Sequence, residues 1–122
     1  MIKNITTVEL KNKISENTPK YIIDVREKEE YESSHIENSH SIPVTEFKSK
    51  YQELLTDKNE EIILICRSGG RSMVIAIFLD QEGYSNIINV DGGVLSWNKD
   101  GNDLTPTNEI LPSKLTCMPD FF

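Results

Sequence analysis

The sequence predicts an α/β protein built on a parallel β-sheet with helices on both faces. Two observations carry that prediction. Candidate strands alternate with candidate helices, and the strands are continuous apolar runs: Tyr21-Ile22-Ile23, Ile62-Ile63-Leu64-Ile65 and Ile87-Ile88. A strand that is apolar on successive residues has both faces covered, which is the situation of a parallel sheet. Ligands of such sheets bind beyond the carboxyl ends of the strands.

Thr6-x-x-Glu9 is a capping box, and Val8, Leu10 and Ile14 follow at loosely helical spacing, so a helix begins there and ends before Asn17 and Pro19. Tyr21 to Val25 is a short β-rich run and reads as a strand. Lys28 to Glu32 reads as a brief solvated helix, and Ser41 to Val44 as an extended piece. Thr45 is placed to cap a helix reaching about Leu55, with Phe47, Tyr51, Leu54 and Leu55 on one face. Glu61 to Ile65 is a buried strand. Ser72 to Glu82 is a helix apolar almost all round, expected to pack on several sides, and Gly83 supplies its stop. Asn86 to Val90 is a further strand, Asp91-Gly92-Gly93 a turn, and a short helix with Leu95 and Trp97 follows. From about Asp100 the character changes, and Pro106, Pro112 and Pro119 interrupt weakly apolar sequence. The chain therefore divides into a domain over residues 1–99 and a C-terminal tail or extended arm over 100–122, with Leu104, Ile110, Leu111 and Leu115 available for packing.

The length of 122 residues suits one domain with an ordinary core. The net charge of −7 argues against nucleic acid or an anionic membrane as a partner. No apolar run approaches the ~20 residues that cross a bilayer, and the N-terminus lacks a signal peptide's features, which points to the cytoplasm. Cys66 and Cys117 make no disulfide framework and are expected as free thiols in a reducing compartment. No Cys/His cluster has zinc spacing, so neither a metal nor a cofactor is expected.

The chemistry concentrates in Cys66-Arg67-Ser68-Gly69-Gly70-Arg71-Ser72, directly after the apolar strand. Gly69 and Gly70 allow unusual backbone dihedrals that turn N–H groups inward. The next helix aims its positive end at the same spot, and Arg67 and Arg71 bring two cations. All of these favour an anion, so Cys66 is expected as a thiolate nucleophile in a cradle that also suits a persulfide or an oxyanion. The plain reading, an inert buried cysteine, needs neither the glycines nor the arginines. Cys117 has no electropositive setting and is expected to be non-catalytic, its sharper alternative being a resolving thiol.

These residues resemble the rhodanese-like domain, a sulfurtransferase family, over about residues 5 to 98. Asp24-Val25-Arg26 matches the family's Asp-x-Arg element. His35-Ile36 with Ile42-Pro43 matches its Gly-His-Ile-x-Gly-Ala-x-x-Ile-Pro stretch. Cys66 to Ser72 matches the active-site loop, and Gly92-Gly93 with Trp97 matches Gly-Gly-x-x-x-Trp. Ser34, Asn38 and Ser39 stand where the family usually has Gly, Gly and Ala. The resemblance implies a three-layer α/β/α fold with a five-stranded parallel sheet. It implies that Cys66 takes up a sulfane sulfur as a persulfide and hands it to a second nucleophile, a thiol, a protein acceptor or cyanide. It further implies that backbone amides from Arg67 through Ser68, Gly69, Gly70 and Arg71 to Ser72 bind the persulfide. Arg67 and Arg71 would bind a small anionic donor such as thiosulfate or a low-molecular-weight persulfide.

Elsewhere the plain readings are preferred. His35 is expected to hydrogen-bond the backbone of its own turn rather than act as a base, and His40 has no better claim. Asp24 and Arg26 are expected to brace loops near the site. Glu27, Glu29, Glu30 and Glu32 read as a solvated face, and Trp97 as core. Three functions are weighed: sulfur transfer through Cys66; a phosphatase or arsenate reductase, which also uses a cysteine in an amide-lined loop; and a non-enzymatic binding module or sulfur carrier. In the phosphatase loop five residues separate cysteine from arginine, whereas four separate Cys66 from Arg71. The tighter ring suits sulfur better than a tetrahedral phosphate.

Overall fold

The computed structural model describes residues 2–17 and 19–105. The elements run β1 (Ile2–Ile5), α1 (Thr7–Ser15), β2 (Tyr21–Asp24), α2 (Lys28–Ser33), β3 (His40–Ser41), α3 (Val44–Leu54), β4 (Ile62–Ile65), α4 (Gly70–Gln81), β5 (Ile87–Val90) and α5 (Gly93–Lys99). The five strands form one sheet in the order β1-β5-β4-β2-β3, and every pairing is parallel. The fold is thus the expected three-layer α/β/α arrangement, with β4 at its centre.

The apolar strands alternate their side chains between two cores, as a period of two requires. Ile23, Ile62, Leu64 and Ile87 face one core with Phe47, Tyr51 and Leu55 of the α3 region and Ile75, Ala76 and Leu79 of α4. Ile22, Ile63, Ile65, Ile88 and Val90 face the other, with Leu10 of α1 and Val94 and Trp97 of α5. The order in which strands are added reverses at the middle of the sheet: β4 connects through α4 to β5 on one side, while β2 connects through α2 to β3 on the other. The crevice at the carboxyl ends of β2 and β4 is therefore the topological switch point, where ligands of open α/β sheets bind.

Several boundaries depart from the sequence expectations. β1 was not anticipated, because Lys3 and Asn4 interrupt its apolar pattern; it is an edge strand and both residues are exposed. Helix α3 starts two residues early, with Pro43 rather than Thr45 as its N-cap. The fixed φ of proline suits the start of a helix, where the missing N–H has no intrahelical role. Helix α4 is covered on its sheet side, but Val74 and Ile77 are exposed, so it is not packed all round. Residues 100–105 fold back onto the domain. Trp97 is core, and its Nε1 donates to the Asp103 carbonyl at 2.9 Å. Leu104 packs on the α1–α5 core, and Thr105 pairs with His35 through two backbone hydrogen bonds. Ile110, Leu111, Leu115 and Cys117 lie outside the described residues. Among the described residues no helix is long and apolar enough to cross a membrane.

Depth decides what truncation costs in this sheet. Leu64→Ala, at a fully buried position of the central strand, is expected to destabilise by about 2–5 kcal/mol. Val74→Ala, on the exposed side of α4, should stay within about 0.5 kcal/mol. Urea unfolding midpoints with unchanged slopes check both.

Candidate active site

Cys66 is the first residue after β4, at the switch point, and only 1% of its surface is exposed. The chain must turn at once from a buried strand into α4. Gly69 makes that turn with φ of +111°, a conformation that side chains disfavour. The turn brings the Gly69 N–H to 3.0 Å from the Cys66 Sγ, and the Ser72 hydroxyl lies 3.4 Å from the same sulfur. Gly70 does not share the unusual conformation: it is the first residue of α4, with an ordinary φ. Of the two glycines, Gly69 alone is required by backbone geometry.

The other face of the loop is held by α5. The N–H of Val94 donates to the Cys66 carbonyl at 2.8 Å, and that of Leu95 to the Arg67 carbonyl at 3.0 Å. Helix α5 thus spends its free N-terminal donors on the loop. The approach is close enough that a Cβ on Gly93 would lie 2.3 Å from the Cys66 oxygen and 2.6 Å from that of Arg67. The Gly-Gly-x-x-x-Trp element therefore has a double purpose: Gly93 admits the loop, and Trp97 anchors the helix in the core.

The two loop arginines separate. Arg67 is half-buried and lines a cleft of about 500 Å³ beside the loop, together with Arg26, Glu30, Leu95, Asn98 and Leu104. Arg71 is buried, and its guanidinium grips Glu30 with Nη1 at 2.7 Å from Oε1 and Nη2 at 3.1 Å from Oε2. Two of its nitrogens are thereby turned to α2. The reading of Glu30 as part of a solvated face is corrected. Glu30 is buried, not solvated, and it also accepts the Glu27 N–H at 3.0 Å as the capping residue of α2.

Burial pushes the Glu30 carboxyl up. The Arg71 hydrogen bonds, the Glu27 amide and the charges of Arg71 and Arg26 outweigh it and hold the group below its ordinary 4.5. A second buried pair braces the same rim. Arg26 Nη2 meets Asp24 Oδ2 at 2.7 Å and also donates to the Ser34 carbonyl at 2.7 Å, the end of α2. His35 Nδ1 lies 2.8 Å from the Tyr31 carbonyl and its ring stacks on Tyr31, so it supports its own turn.

The family departures are accommodated locally. Asn38 adopts φ of +69°, a conformation that asparagine tolerates better than most residues. Ser34 is simply extended, and the Ser39 hydroxyl donates to the Ile36 carbonyl at 2.7 Å. One polar residue near the sulfur escaped the sequence reading. Asn89 sits in β5, 2% exposed, and its Oδ1 accepts a short hydrogen bond from Ser72. Its signal was there to be read, since an amide interrupts the apolar run Ile87-Ile88-Asn89-Val90.

Residues 6–100 match the family model described as rhodanese-like domain. A Bacillus subtilis protein named "Putative sulfurtransferase YtwF" is 41% identical over 96 residues, covering 79% of this chain and 90% of that protein. Another from the same organism, named "Putative sulfur carrier protein YrkF", is 38% identical over 96 residues, covering 79% of this chain and 51% of its own length. The crystal structure of a rhodanese-related protein from Thermoplasma volcanium aligns with a TM-score of 0.74 at 32% identity, covering 84% of this chain and 97% of that one.

Two predictions follow from the supports of the loop. A carboxyl held below its ordinary value contributes stability above about 4.5 and loses it as pH falls through the folded value. Wild-type stability should therefore drop in acid, and Glu30→Gln should flatten that part of the curve. At neutral pH the same variant should cost about 3–5 kcal/mol by removing one side of a buried pair; urea titrations from pH 3 to 7 measure both. Gly93→Ala should cost about 3 kcal/mol or more, left-handed strain and a clash with the loop backbone adding together, and should speed hydrogen exchange at the Val94 and Leu95 amides.

Proposed function

The chain belongs to the rhodanese-like domain family, and on that premise we propose that it is a sulfurtransferase in which Cys66 carries the sulfur. The observation that supports this reading best is the Gly69 amide 3.0 Å from the Cys66 sulfur, at the end of the central strand and the start of α4. Amide donors around a sulfur, at the positive end of a helix, favour negative charge there. That is what an attacking thiolate and a persulfide both require.

The thiolate attacks the outer sulfur of a donor such as thiosulfate. A Cys66 S–S bond forms, the donor's S–S bond breaks, and its electron pair leaves with sulfite. A low-molecular-weight persulfide donates in the same way, with a thiolate as the leaving group. The outer sulfur of the Cys66 persulfide is then attacked by cyanide or by an acceptor thiolate. The new bond forms to the acceptor, the electron pair returns to the Cys66 sulfur, and no external oxidant or reductant is needed. The backbone amides of Arg67, Ser68, Gly69, Gly70, Arg71 and Ser72 hold the persulfide. Arg67, on the cleft wall, steers the anionic donor. Arg71 acts mainly through Glu30, keeping the start of α4 in place.

A cleft of about 500 Å³ is far larger than thiosulfate or cyanide requires, and leaves room for a thiol-bearing acceptor. A sulfur-carrier role, after the name of the second relative, uses the same persulfide and differs only in handing it to a protein. We assign residues 1–99 to the sulfur-transfer unit and 100–122 to an arm whose first residues wall the cleft, working in the reducing cytoplasm.

Cys66→Ser should abolish sulfur transfer while leaving far-UV circular dichroism unchanged. Intact mass after thiosulfate treatment should show one added sulfur in the wild type and none in the variant; retained cyanolysis in the variant would overturn the assignment. Arg67→Ala should lower kcat/KM for thiosulfate by about 10–100-fold, the worth of one charge-assisted hydrogen bond. An unchanged value would remove Arg67 from donor binding.

A further inference from the structure

We propose that Asn89 is a positioning residue: acting through Ser72, it sets the direction of the hydroxyl beside the Cys66 sulfur and so matches that hydroxyl to the charge the sulfur carries. The inference rests on reading Cys66 as the reacting thiol. It starts from an anomaly, since a buried amide in an apolar strand is costly unless its hydrogen bonds are made. Here they are made in a line. Asn89 Nδ2 donates to Asn4 Oδ1 at 3.1 Å, Asn89 Oδ1 accepts from Ser72, and Ser72 Oγ stands 3.4 Å from the Cys66 sulfur. The line runs from the exposed edge strand to the sulfur across β5 and the first turn of α4.

Ser72 is fully buried and has one proton for three neighbouring acceptors: the sulfur, the Gly69 carbonyl at 3.1 Å, and Asn89. A hydroxyl donates once and accepts twice, whereas an amide offers oxygen at one end and NH2 at the other. With Asn89 Oδ1 toward Ser72, the proton goes to Asn89 and the hydroxyl shows the sulfur a lone pair. That orientation accepts a hydrogen bond from a neutral S–H. With the Asn89 amide reversed, its NH2 donates to Ser72 Oγ, and the Ser72 proton turns to the sulfur. That orientation serves a thiolate or a persulfide anion.

The two ends of an amide are nearly equal in size, so reversal needs no repacking. Asn4, itself an exposed amide, reverses with it. Both orientations leave the Asn4–Asn89–Ser72 line satisfied, and no proton crosses between residues. A carboxylate at position 89 could only accept, and would hold the Ser72 proton away from the sulfur. The charged groups on the elements around Cys66 are Arg67 in the loop, the Arg71–Glu30 pair from α4 and α2, the Asp24–Arg26 pair at the end of β2, Asp80 farther along α4, Asp91 after β5 and Lys99 at the end of α5.

The test reads the pH dependence of Cys66 alkylation by iodoacetamide, resolved by peptide mass spectrometry, in the full chain. Asn89→Asp should move the midpoint up by about one pH unit. In a Ser72→Ala background the same substitution should move it by less than half as much, because the hydroxyl that transmits the effect is gone. Equal shifts in the two backgrounds would mean that the new carboxylate acts by its field alone, and would overturn the proposal; so would no shift in either.

Should Asn89→Asp fail to fold by far-UV circular dichroism, the wild-type chain decides. Its Asn89 side-chain NH2 resonance should move with the alkylation midpoint, and at least half of that movement should vanish in Ser72→Ala. A resonance that stays still, or moves equally in Ser72→Ala, overturns the proposal. Neither readout requires a sulfur donor. If Cys66 never accepts sulfur, the sulfurtransferase reading fails on its own; if the persulfide forms but the hydroxyl proves uncoupled, only Asn89's role falls.

Discussion

The bidentate contact between Arg71 and Glu30 is the interaction on which the rest of the site depends. Both groups are buried, 6% and 8% exposed. Each would be costly to remove from water alone, and together they are tolerated only in good geometry. The contact joins the second residue of α4 to the first turn of α2, two helices that leave opposite sides of the switch point. Fixing Arg71 fixes where α4 begins, and that in turn fixes the amide of Gly69 against the sulfur. Glu30 is economical in this place, since one carboxylate oxygen caps α2 and both bind the guanidinium.

Around that anchor the loop's backbone groups are divided by polarity. The carbonyls of Cys66 and Arg67 are taken up by the amides of α5. A donor, the Gly69 N–H, points toward the sulfur. A sulfur that must bear negative charge thus meets a donor, while the nearby carbonyl dipoles that would repel it are engaged elsewhere. Arg26 and Asp24 extend the same economy to the rim by tying the end of β2 to the end of α2.

Much of this was legible in residues alone. The parallel sheet was visible because its strands are uninterrupted apolar runs, and the Cys66 loop because a thiol, glycines and arginines seldom coincide without chemistry. The role of Arg71 was not legible, because charge in a sequence carries no partner. Only the fold reveals that Glu30, in a run of acids, points inward while Glu29 and Glu32 do not. β1 was missed for the opposite reason, since a half-exposed edge strand such as Ile2-Lys3-Asn4-Ile5 lacks the doubly buried pattern that marked the others. Gly93 had a motif but no explanation until the Cys66 carbonyl was seen against it.

The docking of α5 on the two loop carbonyls bears on how the protein resists damage. A loop bonded only to itself could fray alone and offer its sulfur to peroxide. Here, parting the loop from the helix also strains Trp97's seat in the core, so the region should loosen as one cooperative unit rather than residue by residue. Peroxide that reaches the cysteine must then come by the same opening that admits a sulfur donor, rather than through a frayed loop.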